Sequence, residues 1–168
     1  MKMTELFLSE LESESVGTRR VLEQVPEGRY EWRPHPKSMP LGYLAMLVAT
    51  MPSWIDFMIN RDELDFAPKD GGFKQPELRT SRELVAAFDE SAAKARAALE
   101  STTDEHLMTK WKLYAGGHLV TENPRYTNIR LGVFNHLAHH RGQLTVYLRL
   151  NEALVPALYG PSADEKGF

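Results

Sequence analysis

Apolar residues recur near helical spacing in four long segments, and stretches rich in Pro and Gly separate them. The first segment, Thr4 to Val25, places Phe7, Leu8, Leu11, Val21, Leu22 and Val25 at that spacing, with Val16 bridging a polar middle. Thr4 reads as its N-cap, and Pro26 and Gly28 end it. Pro34, Pro36 and Pro40 make the next stretch extended. The second segment begins near Ser38 to Pro40 and runs to Asn60. It is apolar almost all round, which predicts the most buried helix, and Pro52 should kink or interrupt it. Thr80 and Glu83 have capping-box spacing at the start of the third. Leu84, Phe88, Ala92, Ala95 and Leu99 then mark one face as far as Ser101. The fourth runs from Thr127 to Asn151.

The connections differ in character. Arg61 to Arg79 carries Pro68, Gly71, Gly72 and Pro76, and reads as a long loop covering one end of the molecule. Between Leu107 and Glu122, β-prone residues flank Gly116-Gly117, which predicts a short hairpin closed by Pro124. The tail beyond Asn151 is irregular, with Leu154, Leu158 and Tyr159 available to pack back. The pattern predicts an all-α four-helix bundle with long crossover loops and a short β-hairpin, one domain over residues 1–168. Each long helix would span about 30 Å.

Composition narrows the function. Lys plus Arg is 20 and Asp plus Glu is 23, a net charge of −3, which argues against a dedicated nucleic-acid surface. No stretch approaches 18 uncharged apolar residues, so no membrane span is expected. The start lacks the pattern of a secretory signal, and the cytoplasm is the expected location. With no cysteine, any metal must be held by His, carboxylate, backbone or water. There is no G-x-S-x-G elbow and no phosphate-binding P-loop. Glu10, Glu12 and Glu14 read as a solvated face, and Trp32, Trp54 and Trp111 as core or loop anchors.

The fourth segment carries the chemistry. His136 and His140, four residues apart, stand one turn apart on one helix face, close enough to share a cation. Gln143 and Tyr147 continue that stripe, with His139 and Arg141 to either side. A catalytic zinc takes three protein ligands and a water, so a pair needs a third. The plainer reading is a helix whose histidines are hydrogen-bonded or face solvent.

EWRPHPKSMPLGYLAMLVATMPSW (Glu31 to Trp54) and NHLAHHRGQLTVYLR together resemble the DinB superfamily of four-helix bundles, and the order of elements matches over nearly the whole chain. The name refers to damage-inducible proteins. The resemblance implies a divalent metal held by three histidines, one from the second helix and two from an H-x3-H on the fourth. It also implies kinship with thiol-dependent S-transferases and isomerases, and pairing into homodimers. The H-x3-H falls on His136 and His140. The second-helix histidine falls on Leu47, in the run Leu41-Gly42-Tyr43-Leu44-Ala45-Met46-Leu47-Val48-Ala49. Leu47 has no donor atom. Met51 offers only a soft thioether, and Asp56 lies about 13 Å further along a straight helix. His118 and His35 are unplaced by sequence.

Two readings follow. One is a metal-dependent member of the family, with zinc or nickel bound weakly or not at all at His136 and His140, and the Arg61 to Arg79 loop shaping the entrance. The other is a non-catalytic bundle binding a small apolar ligand or a protein partner in a degenerate pocket. Leu47, Met51 and Phe134 would line that pocket, with Gln143 and Tyr147 beside the histidines.

Overall fold

The computed structural model describes residues 2–69, 71, 72 and 75–166. Helix α1 (Met3–Glu23) buries Phe7, Leu11, Val21 and Leu22. Its cap is Lys2 rather than the expected Thr4. The Lys2 amide donates to the Glu5 carboxylate at 3.1 Å. The orphan amides of Met3 and Thr4 donate to Asp104 at 2.9 and 3.1 Å, so a carboxylate far along the chain completes this helix end.

The apolar second segment divides into α2 (Leu41–Thr50), a 3₁₀ turn at Met51–Ser53 and α3 (Trp54–Asn60). Pro52 sits in that turn, as its missing N–H requires. Pro40 caps α2 from outside the first turn. The amides of Leu41 and Gly42 donate to the carbonyls of Trp32 and Tyr30, which folds the proline-rich stretch against the helix start. Only glycine fits at 42, because a Cβ there would stand 1.9 Å from the Tyr30 ring. One segment has the length and hydropathy that a membrane span also has. Leu41–Asn60 has the length and a mean hydropathy of 1.3, since Asp56 is its one charge. It is 61% buried inside the chain, as a core helix is, so its apolar excess is largely taken up within one molecule.

Helix α4 (Ser81–Ser101) starts at the expected capping box. The Glu83 amide donates to the Thr80 hydroxyl at 3.2 Å and the Thr80 amide to the Glu83 carboxylate at 2.9 Å. A single turn, α5 (Asp104–Leu107), leads into the hairpin β2 (Lys110–Ala115) and β3 (His118–Pro124). Gly116 and Gly117 turn it with φ of 60° and 82°, which suits a tight two-residue turn. The fourth segment is α6 (Arg125–Ile129), a π-helical turn at Arg130–Asn135, and α7 (His136–Leu150). Helices α1 and α2 each pack on both α4 and α7 around the shared core.

The all-α expectation needs one amendment. The Arg61 to Arg79 connection contains a strand, β1 (Glu63–Asp65), parallel to β2, so the chain is mostly helical with a three-stranded sheet in the order β1-β2-β3. The Glu10, Glu12 and Glu14 face is also more than solvated. Glu10 pairs with Arg130, Glu12 approaches Arg96 at 4.0 Å, and Glu14 holds the buried guanidinium of Arg141 at 2.5 Å.

Candidate functional site

The π turn ends where α7 begins, and His136, the first residue of α7, lines a cavity. Such turns re-phase a helix and often mark functional positions. Val133 and Phe134 within it are buried, while Gly132 lines the cavity, where a Cβ would press on Met58 at 3.2 Å.

His140 follows one turn later and is 8% exposed. The two Nε2 atoms approach to 2.8 Å. The outer sides of both rings are held: Nδ1 of His140 lies 2.8 Å from Gln143 Oε1, and the Gly132 carbonyl bonds the His136 ring. Burial lowers the pKa of both imidazoles, against the opposing effect of those same bonds, and the neighbouring His139 lowers both further. Burial thus favours the neutral form of both rings. With each outer nitrogen donating to an oxygen, the two Nε2 atoms turn lone pairs toward one another. Free of ligand, the pair is satisfied when Gln143 turns its amide and donates to His140, whose Nε2–H then donates to His136.

The cavity holds about 500 Å³ between α2, α3, the π turn and the sheet. Leu47, Trp54, Phe57, Trp111 and Leu113 form much of its wall, and the Trp54 ring lies 5.7 Å from that of His136. Phe66 and Pro76 bring the Arg61 to Arg79 connection into the cavity lining. Among the described residues, no Asp, Glu, Lys or Arg lines it.

Of the pocket residues expected from sequence, Leu47 and His136 meet in the cavity. Gln143 stands behind, holding His140. Met51 is fully buried in the turn that packs on α4. The Tyr147 hydroxyl donates to the Met39 carbonyl at 3.2 Å, its ring edge-on to Trp32, and Phe134 stacks on Phe7 at 5.6 Å. These three lie outside the cavity lining. The sheet contribution was missed, although Trp111 and Leu113, two apart on one strand face, carried the signal.

A third metal ligand does not emerge. His118 is exposed at the start of β3, and His35 is exposed and accepts from the Lys37 amide at 3.2 Å. Asp56 accepts from the Asn60 amide at 2.7 Å. Among the described residues, no group of three His, Cys, Asp or Glu side chains is arranged to hold a metal. The donor set is two imidazoles against hydrocarbon, which does not fit a three-histidine centre.

Fold and site together define a helical protein with a small sheet and a largely apolar cavity whose lining includes His136, itself paired with His140. The chain belongs to the DinB superfamily, whose family model matches residues 10–144. Two solved structures share the fold. One is a DinB-like protein from Bacillus cereus, 23% identical, TM-score 0.70, the match covering 92% of this chain and 97% of that one. The other is a DinB-like protein from Bacillus subtilis, 21% identical, TM-score 0.67, covering 89% and 94%. No curated protein gives a significant match.

Proposed function

We propose that the chain binds a small, largely apolar molecule in this cavity, with His136 in the lining and His140 paired behind it. One observation carries the reading: a cavity of about 500 Å³, walled largely by aromatic and aliphatic side chains, includes one imidazole, that of His136, in its lining. That volume and lining are those of small-molecule sites, where a few polar groups orient an otherwise apolar ligand. The family's metal chemistry is the weaker reading for this chain. Zinc or nickel would find two imidazole donors, while Leu47 offers none, so no catalytic step is assigned to a metal.

The test is fluorescence titration with N-phenyl-1-naphthylamine, a neutral dye that brightens in apolar surroundings. One saturable site per chain is expected. Leu47→Trp, which fills the cavity, should abolish it while circular dichroism stays unchanged. Absence of a saturable site, or equal binding by a folded Leu47→Trp protein, refutes the proposal.

A further inference from the structure

The imidazole in the cavity lining selects for one feature of its ligand. The His136 and His140 Nε2 atoms converge at 2.8 Å, while their outer nitrogens are engaged by the Gly132 carbonyl and by Gln143. A ligand that brings a donor hydrogen here lets both inner nitrogens accept, with His140 carrying its proton on Nδ1 and Gln143 Oε1 accepting it. The walls select for a second feature. Trp54, Phe57, Phe66 and Trp111 line one cavity, and aromatic faces and edges favour a planar ring held between them over an aliphatic chain of equal area.

Building on the binding role proposed above, we infer that the cavity takes a neutral aromatic alcohol of the phenol class, its ring among the aromatic walls and its hydroxyl donating to the histidine pair. The hydroxyl supplies the hydrogen that His140 Nε2 otherwise supplies, and the His140 proton moves to Nδ1, where Gln143 Oε1 accepts it. A methyl ether of the same ring keeps an acceptor oxygen but has no hydrogen to give. A carboxylate on that ring has none either, and it must shed its hydration shell.

Three naphthalenes separate these features by displacement of the dye from the unmodified protein: 2-naphthol, 2-methoxynaphthalene and 2-naphthoate. The alcohol is expected to bind about tenfold tighter than the ether, the effect of one well-formed buried hydrogen bond. Hydrophobicity alone would order these two the other way. The carboxylate should displace least. In His136→Phe, which replaces the imidazole with a ring of similar size, the alcohol-to-ether ratio should fall to about one while the ether still binds.

Should alcohol and ether displace the dye equally, or the carboxylate displace it best, the phenol assignment is wrong and the cavity's binding role stands. A dye that finds no saturable site removes both. Since the ratio is measured first on the parent chain, the assignment stays open to refutation even if the variant does not fold.

Discussion

Position 47 shows how much one side chain decides. Leu47 stands in the wall of the cavity that also holds His136, so an imidazole placed there would face the existing pair. Leu47→His should therefore create a three-histidine site. Zinc affinity measured by calorimetry is expected to rise by at least about tenfold, within the range that single changes around metal sites produce. His136→Ala in the same background should remove the gain. Equal zinc binding by parent and variant would mean that position 47 does not point where its place in the cavity implies. The pairing of His136 with His140 was legible from helical spacing, whereas the missing donor at Leu47 was legible only through the resemblance to the family's second-helix pattern. The roles of the individual ring nitrogens were legible from neither. They depend on Gly132 and Gln143, whose contribution is a hydrogen-bond geometry rather than a residue pattern.

At the scale of elements, legibility followed locality. The capping box at Thr80, the interruption at Pro52 and the turn at Gly116-Gly117 are each written within a few neighbouring residues, and each stands where expected. Strand β1 was hidden because it has three residues, Glu-Leu-Asp, and its partner β2 lies some fifty positions away. The π turn was hidden because it keeps the apolar spacing of the helices it joins. What fixes β1 is a polar latch. The Asp65 carboxylate accepts from the amides of Ala67, Gly116 and Gly117 at 3.0, 2.9 and 2.7 Å. Partial burial would raise its pKa, but those three bonds outweigh burial and hold it below the ordinary value. At the other end of β1, the buried Arg125 donates to Asp62 at 2.8 Å and to the Arg61 carbonyl at 3.1 Å. The latch therefore supports the cavity lining, where Phe66 follows Asp65 directly. In Asp65→Ala, amide exchange at Gly116 and Gly117 should quicken about tenfold, the loss of one good hydrogen bond, and the dye should dissociate faster. Amides in α4 should be unaffected. Unchanged exchange at the turn would show that the glycines hold their conformation without Asp65.

Over the whole molecule, the last segment of the chain closes back on the first. Its apolar residues were expected to do this, and they do so only in part: Leu158 packs on the core, while Leu154 and Tyr159 are 41% and 71% exposed. Polar contacts do most of the fastening. Arg20 on α1 pairs with Glu165 and donates to the Ala157 carbonyl at 2.9 Å, and Arg149 on α7 reaches Asp164 at 2.6 Å. The Tyr159 hydroxyl donates to Glu14 at 2.7 Å beside the buried Arg141. Asp164 is held below the ordinary 3.8, first by Arg149 and then by the Val155 amide. Glu165 is held below 4.5, first by the Ala157 amide and then by Arg20. Carboxylates with lowered values bind fewer protons in the docked tail than in a free one. Docking is then at full strength above 4.5 and weakens as the pH falls through the lowered values. The Val155 and Ala157 amides donate to these two carboxylates at 2.8 Å each and report the change directly. In an NMR titration from pH 7 to pH 2.5 their shifts should move with midpoints below 3.8 and 4.5 respectively, and Asp164→Asn should abolish the Val155 transition alone. Midpoints at or above the ordinary values would mean that the tail is not held to the body through these groups.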